Sequence, residues 1–226
     1  MMSENNLNPH LNELHQKLRG HLEEQAKDWK SFVYAKDKGF YQGFEEIKID
    51  GCRPTEQRFK RYKIEKYLSN DKSGLDIGCN CGFLTSYVSR FLAHIDGVEL
   101  NPYLVKIANE TKNFLKIDNA DFFTSSFENF QIDKKYDVVF LLANDETIDG
   151  NTKFTFVEYI QKVLDYLKDD GYLMFETVSP DTYEPKLFKP KLKLLKEYFS
   201  ILEDKMVKSE YPINVPERRF LVLRKK

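Results

Sequence analysis

Two carboxylates and two glycines carry the clearest chemistry in this chain: Asp76, Gly78, Gly82 and Glu99. The first three lie in LDIGCNCGFLT, residues 75–85, where an apolar strand should turn into a helix. Gly78 suits a tight turn with φ > 0, and Gly82 suits a close approach of ligand or backbone that a Cβ would block. Such a turn brings backbone N–H groups and a helix N-terminus to a ligand, with the Asp76 carboxylate beside them. Glu99 follows Gly78 by 21 residues. An acid at that spacing, on the tip of the next strand, is suited to bond both hydroxyls of a ribose. The dinucleotide fingerprint G-x-G-x-x-G packs a pyrophosphate against the helix. Here the pattern is Asp-x-Gly-x-x-x-Gly, with Asn80 where a middle glycine would sit. The Asp76 carboxylate would repel a pyrophosphate and favour a cationic head such as an amino group. That points away from a nicotinamide cofactor and towards an amino-acid-bearing nucleoside.

The elements around these residues alternate in type. Apolar positions at helical spacing (Leu11, Leu14, Leu18, Leu22, Ala26, Trp29) predict an amphipathic helix over 10–30. An aromatic stretch follows over 32–44, then a second helix over 56–68 with Thr55 as its cap. From residue 74 strands are expected at 74–77, 93–100, 120–124, 136–143 and 172–178. Helices fall between them at 83–92, 102–113 (capped by Asn101, with Pro102 in its first turn) and 154–168. A basic amphipathic helix over 185–199 precedes two final strands, 201–210 and 218–225. Strands alternating with helices imply βαβ units and a mostly parallel sheet with helices on both faces. The last two strands, with no helix between them, should form an antiparallel hairpin. Residues 1–70 read as a helical N-terminal cap, and residues 71–226 as the ligand-binding domain.

The bulk composition narrows the partners. The 226 residues are 41% hydrophobic, with 18 Phe and 13 Tyr, enough for a packed core. A net charge of −1 provides no global field towards nucleic acid or membrane. No apolar run reaches the roughly 18 residues of a membrane helix, and no secretory signal is expected at the N-terminus. Cys52, Cys79 and Cys81 are an odd set, which fits a reducing, cytoplasmic setting better than a disulfide framework. The C-x-C has no histidines near it, so no metal site is expected.

With these motifs in place, the chain resembles a class I S-adenosylmethionine-dependent methyltransferase. The resemblance rests on LDIGCNCG (75–82), GVELNP (97–102), SSFENF (125–130), KYDVVFLLA (135–143) and LKDDGYLMFE (167–176), and covers residues 60–226. It implies a Rossmann-like, seven-stranded, mostly parallel sheet closed by the C-terminal hairpin. It also implies S-adenosylmethionine as methyl donor, with S-adenosylhomocysteine as product. By the same resemblance Asp76 and the backbone of Gly78, Cys79, Asn80 and Gly82 would hold the methionine part, and Glu99 the ribose. Leu100 would pack on the adenine, Ser126 and Phe127 would lie at its edge, and Ala143 and Asn144 would lie near the sulfonium. Asn80 departs from the commoner G-x-G turn. Cys79 reads as a small, buried, inert filler of the loop.

The acceptor is less directly written. Asp145 and Glu146, after the fourth strand, are the candidate bases for a hydroxyl acceptor; the alternative is that they cap a helix or sit in solvent. Upstream, Arg53, Arg58 and Tyr62, with Tyr41 and Gln42, are candidates to close over the cofactor or grip an anionic acceptor. A solvated basic helix face is the alternative. The expected activity is methyl transfer to oxygen or nitrogen of a small polar or anionic acceptor, such as a sugar or phosphorylated glycan precursor. An RNA or protein acceptor is the alternative, with nucleic acid and membrane not the expected partners. The helix over 185–199 should pack Leu192, Leu194, Leu195 and Tyr198 on the sheet and turn its lysines to water.

Overall fold

The computed structural model describes residues 8–34, 39–145, 152–178, 184–211 and 215–226. In chain order its main elements are α1 (Pro9–Asp28), β1 (Phe40–Gly43), β2 (Gly51–Pro54), α2 (Thr55–Tyr62), β3 (Ser73–Ile77), α3 (Phe83–Val88), β4 (His94–Glu99), α4 (Pro102–Leu115) and β5 (Ala120–Thr124). There follow β6 (Tyr136–Leu142), α5 (Phe156–Tyr166), β7 (Leu167–Glu176), α6 (Pro185–Tyr198), β8 (Phe199–Lys208) and β9 (Glu217–Lys225). Seven strands form one sheet in the order β5-β4-β3-β6-β7-β9-β8. The pairs β3/β4, β3/β6, β4/β5 and β6/β7 are parallel, and β9 pairs antiparallel with both β7 and β8. This is the expected Rossmann-like sheet with its C-terminal hairpin. The strand order reverses between β3 and β6, which makes their carboxyl ends the switch point where such sheets bind ligands.

The period of two along each strand divides the core between the two faces. Leu75, Ile77, Val139, Leu141, Leu173 and Phe175 pack on one side with Tyr159, Ile160 and Val163 of α5 and Leu195 of α6. Val138, Phe140, Met174, Phe220 and Val222 pack on the other with Phe59 and Tyr62 of α2 and Leu84 and Val88 of α3. In α6, Leu195 is fully buried and Leu192, Leu194 and Tyr198 pack partly buried on the sheet, as the periodicity predicts. Lys186, Lys189, Lys193 and Lys196 face solvent, but Lys191 is buried. No helix among the described residues is long and apolar enough to cross a membrane.

Several boundaries follow caps that only partly match the sequence signals. Asn101 accepts the Tyr103 N–H at 3.0 Å and starts α4 as expected. Thr155 and Glu158 form a capping box at α5. The helix expected over 56–68 ends at Tyr62, because Lys63 turns left-handed at φ 52° and a short 3₁₀ turn, Glu65–Tyr67, replaces its second half. Thr55 is the first residue of α2 rather than its cap, and Pro54 precedes it with no side-chain cap. The segment before the sheet is also less purely helical than its pattern suggests, since β1 and β2 pair in parallel as a small second sheet. Gly51 is obligatory there: a Cβ would lie 2.2–2.3 Å from the backbone of Gln42 and Gly43.

Helix α1 joins the main core through one apolar stripe. Leu14 and Leu18 cluster with Leu104 and Ile107 of α4 and with Phe40, Phe44 and Phe83. Leu18 is completely buried. Leu18→Ala is expected to lower the unfolding free energy by about 2–5 kcal/mol, the usual cost of a buried Leu truncation. Urea denaturation followed by tryptophan fluorescence and circular dichroism measures it, and an unchanged midpoint would mean that α1 does not hold its place on α4.

Candidate functional site

A cavity opens at the carboxyl ends of β3, β4 and β6 and is covered by the segment preceding the sheet. Asp76, Gly78, Asn80, Glu99, Leu100, Ala143 and Asn144 line it from the sheet side. Gln25, Trp29, Phe32, Tyr34, Tyr41, Gln42 and Arg58 line it from the other.

The loop after β3 is held in an unusual backbone shape. Gly78, Asn80 and Gly82 all take left-handed conformations, at φ 68°, 56° and 67°. Asparagine is among the few non-glycine residues that tolerate this region, which accounts for Asn80 where a glycine is commoner. At Gly78 an added Cβ would lie 2.6 Å from the Asn144 side chain. At Gly82 it would meet Ala108 and Phe122 at 2.6 Å. Gly82 therefore serves the packing of α4 and β5 against the loop, not the approach of a ligand. The Gly78 and Cys79 N–H groups both donate to the Val98 carbonyl, at 2.8 and 3.0 Å. The buried Gln42 amide clamps the other side, donating to the Cys79 carbonyl at 3.2 Å and accepting the Phe83 N–H at 3.0 Å.

Both carboxylates sit where this loop can use them. Asp76 is buried at the end of β3 and accepts the Thr85 hydroxyl at 2.6 Å. Burial pushes its pKa up to about 6, against smaller opposing effects of Thr85 and Arg58. Glu99 accepts the Asn80 N–H and the Asn101 N–H, each at 2.9 Å, so its carboxylate is fixed by backbone donors on both oxygens. The side-chain oxygens of Asn80 and Asn144 are buried and have no hydrogen-bond partner among the described residues. Two orphaned acceptors and a buried carboxyl group on one cavity suit a ligand with ammonium or hydroxyl donors. Ala143 is left-handed at φ 61°, a costly conformation for alanine, and its N–H donates to the Glu176 carbonyl at 2.9 Å. Asn144 donates to the Ile77 carbonyl, tying the β6 loop to β3.

Other expected site residues lie elsewhere. Phe127 is fully buried against Tyr159 and Tyr166, so it is a core residue and not part of the cavity wall. Ser126 accepts the Asn129 N–H in the turn after β5 and is likewise absent from the wall. Cys79 is buried, and burial raises its thiol pKa well above the ordinary value, consistent with an inert filler. Asp145 does not line the cavity; its carboxylate is buried and accepts the Lys191 ammonium of α6 at 2.7 Å. That pairing argues against a free base at Asp145. Glu146 lies outside the described residues.

The two upstream arginines are engaged by a residue that the motif reading missed. Glu176 ends β7 and is completely buried. Arg53 forks onto its two oxygens at 3.0 and 2.7 Å, Arg58 donates at 3.2 Å, and the Tyr62 hydroxyl donates at 3.0 Å. Burial disfavours the charged carboxylate, yet Arg53 and Arg58 hold its pKa down at about 2. Arg53 and Tyr62 are thus structural partners of Glu176, and Tyr62 stacks on Phe220 at 4.3 Å. Of the three, only Arg58 reaches the cavity wall. A charged residue inside the apolar run YLMFETV was the available signal for Glu176. The Trp29 end of α1 and Thr85 carried no comparable signal.

Glu176→Gln removes the only carboxylate bonded to Arg53 among the described residues. A cost of about 3–5 kcal/mol is expected, as for breaking other buried ion pairs. Because the folded pKa lies below the ordinary value of 4.5, the stabilisation is present above that pH and lost as pH falls towards about 2. Denaturation of both proteins over pH 2–7 measures it. Parallel pH profiles for wild type and variant would remove Glu176 from this role.

Comparison with known proteins agrees with this geometry. The family described as methyltransferase domain matches residues 68–215. The malonyl-[acyl-carrier protein] O-methyltransferase of Halalkalibacterium halodurans is 31% identical over 115 residues, 48% of this chain. The chain spans only 40% of that protein's length. In structure, the N-methyltransferase NodS from Bradyrhizobium japonicum WM9, in complex with S-adenosyl-L-homocysteine, superposes with a TM-score of 0.59 at 12% identity, covering 96% of this chain and 99% of NodS. An rRNA methylase from Streptococcus thermophilus gives 0.56 at 15% identity over 77% of this chain and 98% of its own. At such identities the structural likeness speaks for the fold. The match over most of the chain, on a sheet of this order, makes the protein a member of the class I S-adenosylmethionine-dependent methyltransferase family.

Proposed function

We propose that the protein transfers a methyl group from S-adenosylmethionine to an oxygen or nitrogen of a small polar or anionic acceptor. The observation that carries this reading is one cavity presenting the buried Asp76 and Glu99 carboxylates together with the orphaned Asn80 and Asn144 amide oxygens. Asp76 would take the donor's ammonium and Glu99 its ribose hydroxyls, with Leu100 against the base. When bound, the donor supplies an electrophilic methyl group on a sulfonium, a good leaving group. The chain's part is then alignment and exclusion of water, which can supply much of the acceleration. Ala143 and Asn144, at the end of β6, would border the reacting centre. Asp145 is occupied by Lys191, so no base is assigned. The segment 1–70 would act as the cap, since Gln25, Trp29, Tyr34, Tyr41 and Arg58 close the cavity from that side. Cys52, Cys79 and Cys81 are all free thiols, in keeping with a cytoplasmic setting.

An RNA or protein acceptor is the second reading, favoured by the exposed Lys60, Lys63 and Lys66 in and just after α2 and by the exposed lysines of α6. Methyl-transfer assays on sugar nucleotides, phosphorylated metabolites and RNA separate the two, and a steep salt dependence of acceptor binding would select RNA.

Calorimetry is expected to show S-adenosylhomocysteine binding in the absence of any NAD binding; the reverse result would sink the proposal. Glu99→Ala should weaken that binding by about 1–3 kcal/mol, the cost of unpaired ribose hydroxyls. The affinity should also depend on pH. A ligand ammonium gains most from an ionised Asp76, so binding should strengthen as pH rises through about 6 and then level off. On the acid side the change approaches about tenfold per pH unit. A flat profile between pH 5 and 7.5 would separate Asp76 from the ligand's cation.

A further inference from the structure

Three arginines meet beside the carboxyl end of β7 and the adjoining amino end of β9, and among the described residues Glu176 is the only carboxylate bonded to any of them. Arg53, Arg58 and Arg218 are all nearly inaccessible to solvent. Glu176 accepts from Arg53 twice, from Arg58 and from Tyr62, which fills its capacity. Arg218, on β9, donates instead to the Thr177 carbonyl at 3.0 Å, the residue after Glu176. Its Nε, like that of Arg53, is buried with no acceptor among the described residues. Burial, reinforced by the neighbouring Arg53 and Arg58 guanidiniums and only partly opposed by Glu176, pushes Arg218 below the ordinary arginine pKa. Three guanidiniums therefore face Glu176 and, beside Arg58, Asp76. Among the described residues no carboxylate is bonded to Arg218. Buried cations without counter-charge are costly, so an anion belongs here.

The sheet order says on which side. Asp76 and Glu99 lie on β3 and β4, to one side of β6; Glu176 and Arg218 lie on β7 and β9, to the other. Arg58 links the two, since it touches Glu176 and lines the cavity. Building on the methyltransferase reading, we propose that Arg58 and Arg218 form a binding site for an anionic group, a carboxylate or phosphate, carried by the methyl acceptor. Guanidiniums suit such groups because they can bond them in a forked, charge-assisted way. The acceptor is then an acid or a phosphate ester, not merely a polar molecule.

The test uses the full chain saturated with S-adenosylhomocysteine, into which inorganic phosphate and, separately, acetate are titrated at constant ionic strength. At least one anion should bind to wild type, and the preferred one distinguishes phosphate from carboxylate. Arg218→Gln should weaken it at least about tenfold, as expected for a lost charge-assisted bond. Arg218→Lys should weaken it less. Arg224→Gln, on the same strand but half exposed, should leave it unchanged. If Arg218→Gln does not fold, the wild-type and Arg218→Lys titrations decide. Absence of anion binding in the wild-type complex overturns the inference. So does anion binding that S-adenosylhomocysteine displaces, because the site would then belong to the donor's own carboxylate. Failure of S-adenosylhomocysteine itself to bind would instead remove the methyltransferase reading beneath it.

Discussion

A single buried carboxylate sets the geometry of the ligand end of this fold. Glu176 has no solvent exposure and yet is held ionised by two guanidiniums and a phenol. Replacing such a cluster wholesale with apolar groups can cost nothing, but removing one member leaves a charge stranded. The arrangement therefore acts less as a source of net stability than as a positional constraint. Arg53 comes from β2 and Arg58 and Tyr62 from α2, so these two elements must dock in one register on the end of β7. The backbone of the same residue accepts the Ala143 N–H, so it also fixes the left-handed turn that presents Asn144. Side chain and main chain of Glu176 thus hold the two walls of the cavity to one another.

The loop after β3 is constrained from both sides in a similar way. Gly78, Asn80 and Gly82 provide three left-handed residues, and Val98, Glu99 and Gln42 accept or donate the bonds that keep them there. The result is a preformed cradle in which the buried Asn80 and Asn144 oxygens have no hydrogen-bond partner among the described residues. A ligand that supplies donors recovers hydrogen bonds the protein alone forgoes. Preorganisation of this type lets binding energy go to orientation of the reacting atoms, since little of it is needed to order the loop.

The parts of this architecture that depend on local pattern were legible in the sequence. The alternation of apolar strands with capped helices, the glycine turn at 78–82 and the acid at 99 each follow from a few neighbouring residues. The misplaced residues are those decided by distant partners. Arg53 and Glu176 are 123 positions apart, and nothing near Arg53 distinguishes an arginine that neutralises a buried glutamate from one that grips a substrate. Phe127 follows β5 at the place where a ligand contact was expected, but Tyr159 and Tyr166 offer an aromatic pocket that buries it completely. Asp145 looked like a loop acid until Lys191 of α6, on a helix read as turning its lysines to water, reached back to it. Lys63 and Lys116 end their helices in left-handed conformations without the glycine or asparagine that would have announced them.

The charge layout follows from the same topology. Because the order reverses at β3 and β6, parallel strands on the two sides of that point bring their C-terminal residues to one edge of the sheet, on either side of the switch point. Asp76 and Glu99 end β3 and β4, while Glu176 at the end of β7 gathers Arg53 of β2 and Arg58 of α2, with Arg218 at the start of β9 close by; Arg58, between the two groups, eases the ionisation of Asp76. In a water-poor site these charges are screened far less than at the surface. A cationic ligand on Asp76 cancels the field that Asp76 exerts on Arg58, and the arginine end then attracts an anion more strongly than before. Donor and acceptor of opposite charge would in this way favour one another's binding through Arg58 alone, with no movement of the backbone.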